Sequence, residues 1–169
     1  LEWPTVQKTI RYASSLAHQQ DINIDFILSS NGIKITPDTL SVLKEFDVKL
    51  ELSLDGTPET QRKFRPAIRR RDSYLESHAT HYELIKSSGV RHEILMVIHP
   101  NNSHEFDANF QHISSLGWRN IHAMFGQGFL WSKEQMVNFS QSLLRVGTYL
   151  NKQWQMGDDV VLTHLQTPP

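Results

Sequence analysis

The chain has 169 residues, with 17 Lys and Arg against 18 Asp and Glu and a formal net charge of −1. That length suits one ordinary domain with a sizeable core, and the balanced charge excludes a disordered polyelectrolyte and any global bias toward nucleic acid. No apolar run approaches the roughly 18–20 residues needed to span a bilayer, and cysteine is absent, so the chain offers no disulfide, thiol nucleophile or thiolate metal site of its own.

The opening Leu1-Glu2-Trp3-Pro4 carries no basic or apolar leader, and a cytoplasmic chain is expected. It also lacks an initiator Met, as an excised or processed piece would. Residues 3–18 place Trp3, Val6, Ile10, Ala13 and Ala17 on one helical stripe. Residues 22–28 read as a strand, and Ser29-Ser30-Asn31-Gly32 as a turn. Thr36-Pro37-Asp38 is an N-cap with Pro at the first helical position, so a helix is expected over 37–46. Residues 48–54 alternate, with Val48, Leu50, Leu52 and Leu54 against Lys49, Glu51 and Ser53.

A loop is then expected from Asp55 to Asp72, a helix over 73–88, a third strand over 91–98 and a helix from Asn102-Ser103 to Gly117. A fourth strand follows over 119–124, and a long helix over 132–154. Residues 1–157 read as one core and 158–169 as a frayed tail. Strands alternating with helices predict an α/β fold with four parallel strands and right-handed crossovers.

Parallel strands covered on both faces are almost continuously apolar. Here one face is not: it carries Asn23 and Asp25, then Lys49, Glu51 and Ser53, then Arg91 and Glu93. The apolar face is therefore expected under the helices and the polar face inside an open or incomplete barrel. The charges near the N-terminal strand ends read most simply as mutual pairs, and ligands are expected at the C-terminal ends. Those ends carry Ser29-Ser30-Asn31-Gly32, Ser53-Leu54-Asp55-Gly56, His99-Pro100-Asn101-Asn102 and Met124-Phe125-Gly126-Gln127-Gly128. Such small, polar, Gly-rich turns suit a small molecule with hydroxyl, carboxylate or amine groups, and equally suit ordinary turn chemistry.

Ser53-Leu54-Asp55-Gly56-Thr57-Pro58-Glu59, followed by Phe64-Arg65-Pro66, resembles the radical S-adenosylmethionine enzymes of the anaerobic sulfatase-maturating, SPASM-containing kind. Ser30-Asn31-Gly32 is similar to their Thr-Asn-Gly turn, Ile33 to Leu40 to the helix start that follows it, and Asp72-Ser73-Tyr74 to their next helix entry. The resemblance covers residues 3 to about 125. It implies a portion of a partial (β/α)₆ TIM-like barrel. It also implies that Ser53 and Arg65 contact the amino acid end of S-adenosylmethionine, with Asp55 and Asn31 as further cofactor-binding residues. An Arg fork suits a carboxylate, and a hydroxyl can donate to it.

Two differences from the family stand out. Gln61-Arg62 occupies the place of a His-Asp pair. The family's [4Fe-4S] cluster needs Cys-x₃-Cys-x₂-Cys, and the first two strands, the cluster loop, the Gly-Gly-Glu turn and the cysteine-rich C-terminal region all have no counterpart here. The resemblance thus implies an oxidoreductase-type maturase core that does not cleave the cofactor as this chain alone. Its parent would modify a peptide or protein side chain. A non-catalytic regulatory or peptide-binding relative, and an unrelated (β/α) ligand-binding module, are the alternatives. The edge of strand 22–28 is expected to be covered by missing barrel strands, a second copy or the chain's own termini.

Other signals have plain explanations. Arg62, Lys63, Arg65, Arg69, Arg70 and Arg71 supply six of the 17 cationic residues, but with no interleaved aromatics beyond Phe64 they read as a solvated loop face. His78 and His81 sit three apart without a visible third metal ligand. Gly126-Gln127-Gly128 lacks the Lys-Ser/Thr of a phosphate loop.

Overall fold

A computed structural model describes residues 2–66 and 82–163. The elements are α1 (Trp3–Gln19), β1 (Ile27–Ser30), α2 (Pro37–Glu45), β2 (Lys49–Ser53), α3 (Pro58–Phe64), α4 (Tyr82–Ser88), β3 (His92–Ile98), α5 (Phe106–Ser115), β4 (Asn120–Phe125), α6 (Lys133–Gln155) and β5 (Val161–Leu162). A 3₁₀ helix, Pro100–Glu105, leads into α5. The strands follow chain order in a five-stranded sheet, β1-β2-β3-β4-β5. Pairings β1–β2, β3–β4 and β4–β5 are parallel, as alternating strands and helices require. No helix among the described residues is long and apolar enough to cross a membrane.

Contacts divide the chain into two units. The first holds α1, β1, α2, β2 as far as Leu52, and α4. Helix α2 begins where Thr36 accepts a hydrogen bond from the Thr39 amide at 3.2 Å, with Pro37 at the first position. Leu40, Leu43, Val48, Leu50 and Ile85 are buried in this unit. On the opposite face of the strands Ile27 lies beside Lys49 and Ser29 beside Glu51, and the Ser29 hydroxyl donates to the Glu51 carboxylate at 2.5 Å. The charges read as mutual pairs do pair: Arg91 reaches Asp47 at 2.7 Å and Asp25 at 3.0 Å, and Lys49 lies 3.9 Å from Glu51.

The second unit holds Ser53, α3, β3 from Glu93, the 3₁₀ helix, α5, β4, α6 and β5. Its core is Leu54, Ile94, Met96, Ile98, Phe106, Phe110, Ile113, Trp118, Ile121, Val146 and Leu150. Helix α6 starts at a capping box, Ser132 with Gln135. The start of α5 is fastened to α6. The Ser142 hydroxyl accepts from the Asp107 amide at 2.8 Å and donates to the Asp107 carboxylate at 2.6 Å, and Arg145 meets that carboxylate at 2.7 Å. Burial pushes the Asp107 carboxyl up, but the bonds from Arg145 and Ser142 outweigh it and hold it below the usual range.

The structure differs from the sequence expectation in four places. Strand 22–28 is shortened and shifted to Ile27–Ser30. The loop expected from Asp55 contains α3, started by Thr57, Pro58 and Glu59 as α2 is by Thr36, Pro37 and Asp38. The helix expected from residue 102 divides into a 3₁₀ turn and α5. Four strands become five, because Val161 and Leu162 within the expected tail pair with Asn120 and Ile121. That segment is held by burial of Val160 and Leu162, by the Trp154 indole N–H to the Val160 carbonyl at 2.8 Å, and by Arg119 with Asp158 at 2.7 Å. His78, His81 and Arg69 to Arg71 lie outside the described residues.

Phe110 is fully buried, so Phe110→Ala is expected to cost about 3–5 kcal/mol in urea unfolding; a loss under about 1 kcal/mol contradicts the packing described. Burial lowers the His112 pKa below 6.5, partly offset by the Glu59 charge. A depressed folded-state pKa means the unfolded chain binds the proton first, so stability is lost as pH falls below about 6.5. Tm measured from pH 7.5 to pH 5 is expected to drop less steeply in His112→Gln than in the unmodified chain. Equal slopes would contradict the assignment.

Candidate functional site

The second unit gathers its polar groups where β2 ends. Leu54 makes the last regular ladder bond, its amide donating to the Leu95 carbonyl at 3.2 Å. A continuing parallel ladder would send the Val97 amide to the Leu54 carbonyl. Instead that amide donates to Asp55 Oδ1 at 2.9 Å, so a side-chain carboxylate takes the place of the backbone as the chain leaves the sheet. The same carboxylate receives Arg65 Nε at 2.7 Å on Oδ2 and Arg65 Nη2 at 3.1 Å on Oδ1. The Asp55 side chain is only 4% exposed against 31% for Arg65, which places the carboxylate inside and the guanidinium at the rim. A guanidinium carries five N–H donors, and this pair engages one on each of two nitrogens. The remaining donors are presented away from Asp55.

The loop between these two residues is held from both sides. The Asp55 amide donates to Gln61 Oε1 at 2.9 Å, with Gln61 buried on α3. The Thr57 amide donates to Asn109 Oδ1 at 2.9 Å, with Asn109 buried on α5. Between them Gly56 has φ +140°, and a Cβ there would lie 2.1 Å from Asn109 Oδ1. Only glycine allows this approach. Among the described residues Asn109 Nδ2 is buried with no hydrogen-bond partner, an arrangement that costs about 1–3 kcal/mol. Thr57 accepts from the Thr60 amide to start α3, and Arg65 is the residue that ends it.

His99, at the C-terminal end of β3, lies between Phe64 at 5.0 Å and Phe129 at 4.2 Å between ring centroids. Its Nδ1 accepts the Asn101 amide at 3.0 Å, which leaves the proton of the neutral ring on Nε2. Asn102 accepts the His99 amide at 2.8 Å. Among the described residues no three His, Asp or Glu are grouped to hold a metal ion.

Of the four residues singled out in the sequence, the second unit brings Asp55 and Arg65 into direct contact and places Ser53 two positions before Asp55, half-buried. Asn31 belongs to the first unit, where its Oδ1 accepts the Ile33 amide at 3.3 Å and so closes a turn at Gly32. Gln61, Asn109 and His99 were not singled out for this site. Asn109 had a visible signal: it interrupts the otherwise apolar stripe Phe106, Phe110, Ile113 of α5.

No family model matches the chain. A cysteine-type anaerobic sulfatase-maturating enzyme of Clostridium novyi (strain NT) is 26% identical over 100 residues, 59% of this chain and 26% of that enzyme. Native anSMEcpe with bound AdoMet superposes with a TM-score of 0.70 at 18% identity, covering 85% of this chain and 41% of that one. Native anSMEcpe with bound AdoMet and Cp18Cys peptide gives 0.74 at 17% identity, covering 92% and 45%. The fold is therefore the parallel α/β arrangement of those solved chains. In sequence and fold the chain is similar to part of these enzymes, spanning about a quarter of the curated relative and less than half of the solved chains.

Asp55→Asn removes the charge that faces Arg65 while keeping an acceptor for the Val97 amide. It is expected to cost about 2–3 kcal/mol in urea unfolding, and Asp55→Ala, which strands both partners, about 3–5 kcal/mol. Equal losses below about 1 kcal/mol would show that the pair does not hold the loop.

Proposed function

We propose that this chain holds the amino acid end of S-adenosylmethionine within a radical maturase-like core whose parent modifies a side chain of a peptide or protein. One observation carries the reading: Asp55 fixes Arg65 at a strand end with guanidinium donors still available, two residues after the Ser53 hydroxyl. Those donors suit a carboxylate, and Ser53 can donate to the same group. In this reading Asp55 aims Arg65 rather than touching the cofactor, because both its oxygens are engaged within the protein. The family resemblance also implies a cofactor contact by Asn31, which belongs to the first unit. The substrate class follows the solved relatives, which hold peptides.

S-adenosylmethionine would supply a sulfonium that accepts an electron from a [4Fe-4S] cluster. The cluster does not fit the residues present, since none of the 169 is cysteine. What this stretch itself contributes is binding and orientation. A cytoplasmic setting belongs to the same reading. So does a further strand, or a second copy, on the outer edge of β1, where Ile27 is 54% exposed.

Calorimetric titration tests the site. The chain is expected to bind S-adenosylmethionine, and Arg65→Ala to weaken binding at least tenfold, or about 1.4 kcal/mol. Ser53→Ala and Asn31→Ala should weaken it less. Decarboxylated S-adenosylmethionine should bind poorly to the unmodified chain and be indifferent to Arg65→Ala. Equal affinity for the two compounds would overturn the assignment.

A further inference from the structure

We propose that Asn109, on α5, is a positioning residue for Arg65, acting through the Gly56–Thr57 backbone; this rests on the reading of Arg65 given above. Three observations meet at this side chain. Its Oδ1 takes the Thr57 amide at 2.9 Å, across 52 residues of sequence. Its Cβ, Cγ and Oδ1 fill the space that a side chain at residue 56 would need. Its Nδ2 has no partner among the described residues although the residue is only 1% exposed.

The third observation separates a packing role from a positioning one. A leucine would occupy the apolar stripe of α5 without the unanswered Nδ2, but it would leave the Thr57 amide without its acceptor. Asparagine keeps a polar group in the core, and what it contributes there is one oriented acceptor. That acceptor fixes the peptide group between Gly56 and Thr57, one residue beyond the carboxylate that aims Arg65. Thr57 is also the N-cap of α3, and Arg65 lies at the other end of that helix. Asn109 thus holds both ends of the Asp55–Arg65 pair through one hydrogen bond. Its own base is firm, because α5 is fastened to α6 through Asp107, Ser142 and Arg145.

Two readouts are made on the whole chain. The first is proton exchange at the Thr57 amide and at Arg65 Nε–H, followed by NMR. The second is calorimetric titration with S-adenosylmethionine. In Asn109→Leu, Tm is expected to stay level, one unanswered donor replacing another, while both protons exchange about tenfold faster and S-adenosylmethionine binds about tenfold more weakly. Asn109→Asp keeps an oxygen for Thr57 and is expected to restore slow exchange, which a purely structural role would not predict. Should leucine's bulk beside Gly56 prevent folding, Asn109→Ala makes the same comparison. Unchanged exchange at both protons in the folded variants overturns the proposal, whatever the titration gives. If the unmodified chain does not bind S-adenosylmethionine but exchange responds as stated, the cofactor reading fails and the positioning role of Asn109 stands.

Discussion

The second unit turns on one carboxylate. Where β2 runs out, Asp55 takes over from the backbone, answering the Val97 amide and holding Arg65 with both oxygens. Almost everything at this end is arranged around that substitution. Gln61 secures the Asp55 amide, Asn109 secures the Thr57 amide, and the single turn between them is passable only because residue 56 is glycine. A carboxylate this deep is tolerable because each oxygen is answered by a charged or backbone donor. Its partner sits at the rim, so the pair links an interior anchor to an accessible cation.

The strand pattern explains why the anchor lies there. Along β2 and the residue that follows it, Leu50, Leu52 and Leu54 are buried while Lys49, Glu51 and Ser53 are half-buried. A fully covered parallel sheet would have no reason to keep those polar positions. In the first unit Glu51 is answered by Ser29 and Lys49, and Arg91 by Asp25 and Asp47, which gives the charges internal partners. In the second unit the polar series ends at Ser53 and Asp55. The fold thus separates charge that closes on itself from charge that keeps donors to spare.

Much of this was legible in the sequence because it depends on local signals. Thr36-Pro37-Asp38 and Ser132 mark helix starts, and the alternation over 48–54 marks a half-polar strand. Helix α3 was missed although Thr57-Pro58-Glu59 repeats the Thr-Pro-acidic signal; its seven residues carry too little periodicity to announce a helix. Strand β5 was missed because two residues held by β4 have no pattern of their own. The same division applies to the site. Ser53, Asp55 and Arg65 share a compact motif, whereas Gln61 and Asn109 matter through where the fold brings them. Gln61, visible in the sequence only as a departure from the family's His-Asp pair, is a buried acceptor for the backbone.

Position 56 is closed to other residues twice, once by the atoms of Asn109 and once by its own torsion of +140°. The two locks are independent. Trimming residue 109 to alanine would still leave its Cβ 2.4 Å from an atom added at 56, and the torsion as demanding as before. Sequence drift here is therefore one-directional: residue 109 can change while the glycine persists, but the glycine cannot yield first.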